Sequence, residues 1–236
     1  METPFARTEL LFGGAAMEKL ARSRVAVLGV GGVGGHCAEA LARCGIGRFL
    51  LVDKDSVSVT NLNRQAVALH STLGMRKVDV MRGRMLDINP DAEVKTICAF
   101  YGPDGDLGLW ENPPDLVVDA IDTVSAKVDL AARAQALSIP CVSCMGAGNK
   151  LDPARFEAAD LFDTSVCPLC RAMRRQARER GVTSLRVVYS KEPPAERRLP
   201  VDPPGKERPA PGSVAYVTGS AGLMLAHEAV RMLLAR

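Results

Sequence analysis

A glycine-rich turn between a short apolar run and a helix-like segment is the feature that most restricts the fold of this chain. The apolar run is Val25–Leu28, and the turn is Gly29–Gly34. In such a turn Gly29 allows the tight bend, Gly31 lets main-chain N–H groups approach a phosphate, and Gly34 lets the helix pack against the strand. A phosphate would then lie at the helix N-terminus, where unpaired N–H groups and the helix dipole favour negative charge. The segment therefore predicts a strand, a phosphate-binding turn and a helix.

An acidic residue follows the turn at the spacing of a nucleotide site. Asp53 ends the next apolar run about 20 residues later, where a carboxylate can bind ribose hydroxyls. The glycine turn and this acidic residue alone would predict a binding site for a dinucleotide, most simply NAD. The amide-rich segment Asn61–Gln65 lies directly behind the acid and contains Arg64, and Lys77 follows near the start of a helix-like segment. Because arginine binds phosphate oxygens through a fork of N–H groups and lysine supplies a compact charge, this arrangement favours a triphosphate.

Apolar strand-like runs alternate with helix-period segments along residues 1–150. We predict strands at Arg24–Gly29, Arg48–Asp53, Glu93–Ala99, Leu116–Ile121 and Ile139–Met145, and helices at Val33–Arg43, Met75–Ile88 and Ser125–Leu137. This alternation predicts an α/β fold of the Rossmann-like, doubly wound type with a mainly parallel sheet. Ligands bind such sheets at the carboxyl ends of the strands, where Gly29, Asp53, Asp122 and Gly146 fall. The carboxylate of Asp122 is suited to holding Mg²⁺.

Residues 151–236 have a different composition. We predict an arginine-rich helix at Cys170–Arg180, a strand at Ser184–Ser190, a surface loop at Lys191–Gly212, a strand at Ser213–Val217 and a closing helix at Gly219–Leu234. In the closing helix, Leu223, Ala226, Val230 and Leu233 share one apolar face. We find no internal repeat and no second independent core. The chain is predicted to be a single domain, 1–236, with a nucleotide-binding core at 1–150 and an embellished C-terminal part at 151–236.

The composition indicates the cellular compartment of the protein more clearly than its function. The chain has 236 residues, a formal net charge of +3 and seven cysteines. A charge this small does not predict nucleic-acid binding, so the distribution of basic residues matters more than their total. The N-terminus lacks a secretory signal pattern, and no apolar run is long enough to span a bilayer. We expect a cytoplasmic protein without membrane contact and with mostly reduced cysteines.

Four of the cysteines form two pairs with the spacing of metal ligands, Cys141/Cys144 and Cys167/Cys170. Together they could make a zinc site of four thiolates. The first pair falls in a predicted strand, however, where residues three apart point to opposite faces and chelate poorly. Cys167 and Cys170 form a better loop-to-helix pair but supply only two ligands. Free thiols are the favoured interpretation, and zinc binding by Cys167 and Cys170 stays open.

The combined motifs resemble the adenylation domain of the ubiquitin-activating-enzyme-like superfamily. The matching elements are Gly29–Gly34, Asp53 with Asp55, Asn61–Gln65, Gly74–Lys77 and Asp122. Within that superfamily the chain is most similar to the tRNA threonylcarbamoyladenosine dehydratases. This similarity covers nearly everything from Phe5 onward and includes Arg7–Gly13, Ile88–Pro90, Asp119–Asp122, Gly146–Pro153 and Thr164–Leu169.

The resemblance implies an ATP-dependent enzyme that dehydrates threonylcarbamoyladenosine next to the anticodon of tRNA. Such enzymes adenylate the threonyl carboxylate, and an intramolecular attack then closes a ring and releases AMP. Arg64, Lys77 and Asp122 carry over as catalytic residues, and Asp122 also as the anchor of Mg²⁺. Arg7 matches an arginine that in relatives reaches the nucleotide of the neighbouring subunit, which implies a homodimer with shared sites. The nucleotide-binding residues that carry over are Gly29, Gly31, Gly32, Gly34, Asp53, Asp55, Asn61, Arg64, Gln65, Lys77 and Arg7.

A tRNA substrate requires a basic surface, and the C-terminal part contains basic residues in a cluster. Between Arg171 and Arg198, nine basic residues accompany three acidic ones. Phosphate contacts made by such residues would give salt-dependent affinity that is largely independent of sequence. The alternative interpretation is a solvated helix face.

Three other functions stay open. The first is activation of the C-terminus of a small ubiquitin-like sulfur-carrier protein by adenylation, and the need for a sulfur-relay partner is also open. The second is an NAD-dependent oxidoreductase, but His36 and His227 occupy helices and neither is an obvious acid–base group. The third is a catalytically silent tRNA-binding relative, against which the intact Arg64, Lys77 and Asp122 argue.

Overall fold

One sheet runs through both parts of the chain. In a computed structural model, which describes residues 3–103, 105, 107–196 and 211–235, this sheet has seven strands. They are β1 (Arg24–Leu28), β2 (Arg48–Val52), β3 (Glu93–Ile97), β4 (Leu116–Asp119), β5 (Cys141–Cys144), β6 (Phe156–Asp160) and β7 (Arg186–Ser190). Their order is β3-β2-β1-β4-β5-β7-β6, and neighbouring strands are parallel except for β6 and β7. The predicted α/β fold with a doubly wound, mainly parallel sheet is confirmed.

Helices cover both faces of the sheet. They are α1 (Ala6–Phe12), α2 (Gly14–Arg22), α3 (Gly34–Arg43), α4 (Lys77–Ile88), α5 (Val124–Ala136), α6 (Pro168–Glu179) and α7 (Ala215–Leu234). The apolar cluster on one face contains residues of α3, α4 and α7, and the cluster on the other contains residues of α5 and α6. None of the helices in the described part of the chain combines the length and apolarity needed to cross a membrane.

The central strands explain where a ligand can bind. Val25–Leu28 of β1 and Leu116–Val118 of β4 are fully buried, as expected for parallel strands that are covered by helices on both faces. After β3 the chain returns to the opposite side of β1 and forms β4, so the strand order reverses between these two neighbours. A crevice opens at the carboxyl ends of the strands at such a reversal.

The glycine turn adopts the geometry that its sequence predicts. Gly29 has a φ of +87°, and a Cβ atom there would lie 2.5 Å from the Ala120 carbonyl oxygen. A Cβ atom on Gly34 would lie 1.8 Å from the Gly29 carbonyl oxygen. Both distances are far below van der Waals contact, so a side chain at either position would force the turn apart.

We expect Gly34→Ala and Gly83→Ala to have opposite effects on stability. Gly34→Ala should lower the melting temperature and weaken ATP binding, because the new Cβ atom would meet backbone. Gly83 lies inside α4, and a Cβ atom added there would have no neighbour within 4 Å. Gly83→Ala should therefore stabilise the protein by about 0.5–1 kcal/mol, since alanine loses less backbone entropy on folding. Thermal unfolding and ATP calorimetry measure both effects, and an unaffected Gly34→Ala protein would contradict the close packing.

The predicted strand at Ser213–Val217 is wrong, because α7 already begins at Ala215. Val217 is fully buried on this helix and packs into the same apolar cluster as α3. Five residues are too few to distinguish a strand from the first turns of a helix when the partner element is distant in sequence. Gly222 allows α7 to approach α3, since a Cβ atom there would lie 2.5 Å from the Val33 carbonyl oxygen.

The apolar face predicted for the closing helix is only partly right. Ala226, Val230 and Leu233 are buried, whereas Leu223 is 59% exposed. The buried arc of α7 also includes Val217, Ala221 and Leu225, and Leu223 lies just beyond its edge.

The closing helix begins four residues earlier than predicted, and the remaining predicted elements are present with bounds that differ by at most two residues at each end. Sequence patterns missed α1, α2 and the edge strand β6. The sequence of β6, Phe-Glu-Ala-Ala-Asp, lacks the β-branched residues typical of strands. Of the predicted surface loop Lys191–Gly212, residues 197–210 lie outside the described part of the chain, and residues 191–196 and 211–212 are neither helix nor strand.

Candidate active site

A cavity of about 770 Å³ opens at the carboxyl ends of β1, β2, β4 and β5. Gly34 begins α3 directly behind the cavity's glycine turn, and Arg7 is exposed on α1 and is not among the lining residues. The residues predicted from the sequence that do line the cavity are Gly29, Gly31, Gly32, Asp53, Asp55, Asn61, Arg64, Gln65, Lys77 and Asp122.

Asp53 is bound to the glycine turn itself. Its Oδ2 atom accepts a hydrogen bond from the Val30 amide at 2.7 Å, and its Oδ1 atom accepts one from the Asp55 amide at 2.8 Å. The end of β2 and the turn after β1 are therefore held together by one carboxylate. Each oxygen keeps a second lone pair, so the same carboxylate can still accept a ribose hydroxyl.

Lys77 is held in the wall of the cavity by an acidic partner. Its Nζ atom lies 2.9 Å from Asp55 Oδ2, and its side chain is only 6% exposed, whereas that of Asp55 is 51% exposed. The Lys77 amide also donates to the Asp55 carbonyl oxygen at 3.0 Å. A buried ammonium group beside the glycine turn is positioned to attract anionic oxygens, and its solvated carboxylate partner fixes its direction.

The segment between Asp55 and α4 carries the remaining cation. Arg64 follows a short 3₁₀ turn at Val59–Asn61, and its Nη1 atom donates to the Thr60 carbonyl at 2.8 Å and to Asn63 Oδ1 at 2.9 Å. These contacts use one end of the guanidinium group, so its other N–H groups stay available for phosphate oxygens.

Gln65 contributes an unsatisfied polar atom to the cavity wall. Its side chain is buried against Gly31, and its Oε1 atom has no hydrogen-bond partner within the described residues. A buried polar atom without a partner is costly, so such an atom in a cavity wall fits a ligand that donates a hydrogen bond to it. A nucleotide, with its hydroxyl and amino groups, has the necessary donors.

A buried ion pair supports the turn that carries Asp122. Asp119 and Lys127 are fully buried, and Lys127 Nζ lies 2.9 Å from Asp119 Oδ2. Lys127 also donates to the Ile121 carbonyl at 3.0 Å, and Asp119 accepts from the Ile121 amide at 3.1 Å and from Ser143 Oγ at 2.5 Å. The sequence interpretation missed this pair; its signal was a lysine between the apolar residues Ala126 and Val128 near the start of α5.

Asp122 itself keeps its carboxylate free for a ligand. It is exposed in the cavity wall, and within the described residues its hydrogen-bond contact is one of 3.4 Å from the Thr123 hydroxyl. Asp53 and Asp55 are already committed to amides and to Lys77. Of the acids in the cavity, Asp122 is therefore the one that best fits a divalent cation, which prefers carboxylate oxygens.

The opposite wall is assembled from distant segments. Gly146, Gly148, Pro211 and Ser213 line the cavity. Asn149 connects the segment around Gly148 to the segment around Gly212. Its side-chain Oδ1 atom accepts a hydrogen bond from the Gly212 main-chain amide at 2.7 Å, and its own main-chain amide donates to the Gly212 carbonyl oxygen at 2.8 Å. Sequence reasoning did not connect these segments, which are about sixty positions apart and belong to no common motif.

The four cysteines that could have bound zinc do not come together. Cys141 and Cys144 belong to apolar clusters on opposite faces of the sheet, as the strand geometry predicts. Burial raises the pKa of the Cys141 thiol, and it raises the pKa of the Cys144 thiol to about 12. Within the described residues, no group of three or more histidine, cysteine or acidic side chains is arranged to hold a metal ion. The four-thiolate site is therefore not formed.

Much of the predicted basic cluster is engaged within the protein. Arg174 donates to the Thr164 carbonyl at 2.9 Å, Arg180 lies 3.0 Å from Asp129 and Arg186 lies 2.7 Å from Glu228. Arg178 lies over the ring of Phe162, and Lys191 pairs with Glu157. Arg197 and Arg198 lie outside the described residues. Within the described part of the chain, Arg171 and Arg175 are exposed on α6.

Comparison with known proteins identifies the family of this chain. The model of the ThiF family matches residues 5–236. The chain belongs to the ThiF family. Within this family, the tRNA threonylcarbamoyladenosine dehydratase of Bacillus subtilis is 43% identical over 239 residues, which cover 98% of this chain and 94% of the relative. The dehydratase of Escherichia coli is 40% identical over 170 residues, which cover 72% of this chain and 63% of that relative.

Solved structures of ThiF-family relatives agree with the fold. A crystal structure of the E. coli tRNA threonylcarbamoyladenosine dehydratase TcdA in complex with ATP has a TM-score of 0.88 and 33% identity, and the match covers 98% of this chain and 94% of that chain. Another ThiF-like relative, the molybdopterin-synthase adenylyltransferase of E. coli, is 36% identical over 126 residues, which cover only 53% of this chain. The similarity is therefore more extensive to the dehydratases than to that adenylyltransferase.

Proposed function

We propose that this chain catalyses the ATP-dependent dehydration of threonylcarbamoyladenosine in tRNA. The observation that carries the proposal is the single cavity that joins a phosphate-binding glycine turn, Asp53, the cations Arg64 and Lys77, and Asp122. The extensive similarity to dehydratases, including one whose structure contains ATP, supports the same reaction. The chain is predicted to act as a single adenylation domain.

The site residues suit transfer of an adenylyl group to a carboxylate. A carboxylate is a poor electrophile, and its conversion to a mixed anhydride with AMP creates a good leaving group. Such a transfer depends on positioning and on neutralising phosphate charge more than on covalent chemistry by the protein. In this proposal the glycine turn binds phosphate through its amides, Arg64 and Lys77 neutralise phosphate charge, and Asp53 and Gln65 bind the nucleoside. Asp122 would hold Mg²⁺, which supplies further neutralisation of the phosphates.

The direct test is to incubate the protein with ATP, Mg²⁺ and tRNA that bears threonylcarbamoyladenosine. Mass spectrometry of the isolated nucleosides should show a product that has lost one water. If no such product forms, and a ubiquitin-like sulfur carrier stimulates ATP–pyrophosphate exchange, then the chain is a sulfur-carrier adenylyltransferase instead.

We propose further that two copies of the chain share their sites through Arg7. The helix α1 that carries Arg7 exposes 86% of Leu10 and 83% of Leu11, which is unusual for apolar side chains and suits a protein contact. We expect Arg7→Ala and Lys77→Ala proteins each to be inactive, and a mixture of the two, after subunit exchange, to regain part of the activity. One site of each mixed dimer would then contain both residues. A mixture that stays inactive despite forming mixed dimers would contradict the contribution of Arg7 in trans.

We propose that tRNA contacts the exposed face of α6. Replacing both Arg171 and Arg175 by glutamate should weaken tRNA binding at least about tenfold and reduce its salt dependence, because phosphate contacts release counterions. ATP affinity should not change. Arg171→Glu alone is compared with Arg82→Glu as its matched control, since both carry one charge reversal and Arg82 is exposed on α4, which packs against the other face of the sheet. Fluorescence anisotropy at several salt concentrations measures the effect, and equal losses in both proteins would contradict this surface.

A further inference from the structure

The proposed reaction leaves Cys167 and Cys170 without a function. Cys167 lies at the N-cap of the twelve-residue helix α6, Pro168 is the first helical residue, and Cys170 follows in the first turn. The first amides of a helix lack partners within the helix and attract negative charge. The N-cap position therefore places Cys167 at the positive end of the helix dipole, within one turn of Cys170.

The two thiols influence each other unequally. The Cys170 thiol, the amides of Leu169 and Cys170 and the ammonium group of Lys150 all favour the charged form of Cys167, so they lower the pKa of the Cys167 thiol against the effect of burial. The pKa of Cys170 is raised, chiefly by the neighbouring sulfur of Cys167 and then by burial.

The remaining groups around the pair do not remove this asymmetry. The side chain of Thr164 and the positive charge of Arg174 act on Cys170 and oppose the rise of its pKa. Cys144 is a further thiol that interacts with Cys167, and its own pKa is raised by burial. Cys167 is therefore the stronger nucleophile of the pair, because a thiolate reacts and a thiol does not.

The two cysteines also differ in access to solvent. Cys170 is fully buried, whereas Cys167 keeps 4% exposure between the exposed residues Val166 and Pro168. Val166 has a φ of +61°, and the Cys167 amide donates to the Ser165 carbonyl at 2.5 Å. A tight turn therefore precedes Cys167. Of the two buried cysteines, Cys167 is the one that retains some exposure.

The pair also adjoins the nucleotide cavity. Leu169, which lies between the two cysteines, lines the cavity, and its Cδ2 atom would lie 3.7 Å from a Cβ atom added to Gly146. The pair therefore lies next to the wall of the proposed nucleotide site.

We propose that Cys167 and Cys170 form a dithiol redox site that reacts with low-molecular-weight disulfides. The Cys167 thiolate attacks one sulfur of a disulfide R–S–S–R, forms a mixed disulfide and releases RS⁻, which takes a proton from solvent. The Cys170 sulfur then attacks Cys167 Sγ, and the proton of Cys170 passes to the second RS⁻ as that group leaves. The two cysteine thiols are thereby oxidised to one disulfide, and R–S–S–R is reduced to two thiols.

The test uses oxidised glutathione as the disulfide and the full chain carrying Cys98→Ser, which removes the exposed cysteine outside this site. After acid quenching, intact-mass and peptide analysis should show a protein that has lost two hydrogens through a Cys167–Cys170 disulfide. With Cys170→Ser added, the protein should instead gain one glutathione on Cys167. With Cys167→Ser added, it should gain none, and dithiothreitol should reverse every change.

The chain supplies its own matched control in Cys141 and Cys144, which have the same spacing but lie on opposite faces of the sheet. They should stay reduced throughout. Thermal unfolding of each variant shows whether it is folded, and the Cys170→Ser protein alone suffices if Cys167→Ser does not fold. The proposal is overturned if Cys167 gains no glutathione in the Cys170→Ser protein, if no disulfide forms with both cysteines present, or if the purified protein carries zinc at the pair and does not react. None of these outcomes depends on tRNA dehydration, so they are separate from failure of the proposed function.

Discussion

Replacing Lys77 by alanine is expected to lower kcat/KM for tRNA dehydration by about 10³-fold or more, while leaving the protein folded. A positioned donor to a developing charge contributes about 10²–10³ in rate, and a cation at a transferring phosphoryl group can contribute more. The ammonium group of Lys77 is almost completely buried in the cavity wall and is aimed by Asp55. Water that enters in its place cannot supply the same fixed charge.

The cost to stability should be small, because the partner left behind by this substitution is half exposed. Asp55 keeps 51% exposure of its side chain and can be solvated. Arg76→Ala is the matched control: Arg76 precedes Lys77, is exposed and pairs with Asp79 instead of lining the cavity. Single-turnover kinetics and thermal unfolding of both proteins measure the effects. A Lys77→Ala protein that turns over as fast as the control would rule out the proposed role of this lysine.

Replacing Lys127 by alanine is expected to be the most destabilising single change in this region, at about 3–5 kcal/mol. The two substitutions differ in the acidic partner that each leaves behind, which is half exposed for Lys77 and fully buried for Lys127. Both members of the Lys127–Asp119 pair are fully buried, so removal of the lysine leaves a carboxylate without a counter-ion and without water. The turn that carries Asp122 would also lose the hydrogen bond from Lys127 to Ile121.

A double-mutant cycle separates the ion pair from simple loss of packing. Lys127→Met with Asp119→Asn removes both charges but keeps the volume and leaves an amide oxygen that can accept from the Ile121 amide. We expect the double variant to be more stable than Lys127→Met alone, because a buried pair replaced as a unit costs less than one unpaired charge. Urea unfolding gives the free energies. Additive losses in the double variant would show that the charges are not coupled.

The features that could be predicted from the sequence are those that depend on neighbours along the chain. The glycine turn, the acid after β2 and the carboxylate after β4 each follow from the local requirements of a phosphate turn or a strand end, and the structure brings them to one cavity. The alternation of strands and helices also follows from local periodicity, which explains why the fold class is correct and the bounds differ little.

The wrong predictions share one cause, which is that each depends on contacts between segments distant in the sequence. The short segment before α7 was predicted as a strand, although Val217 is a buried helical residue against α3. Leu223 was assigned to an apolar face, although the buried arc of α7 lies beside it. In the basic cluster, Arg180 and Arg186 look free in the sequence but bind Asp129 and Glu228, which are about fifty and forty positions away. Composition cannot distinguish a free arginine from a paired one.

The sequence by itself determined the fold class and the family, because the alternation of strands and helices and the steric needs of a glycine turn act between residues that are close along the chain. Only the tertiary structure decided that Asp55 aims Lys77, that Asp119 and Lys127 form a buried pair, and that Gln65 has an unpaired oxygen in the cavity wall. These properties depend on burial and on contacts between distant segments, and both arise only when the sheet and its helices are packed.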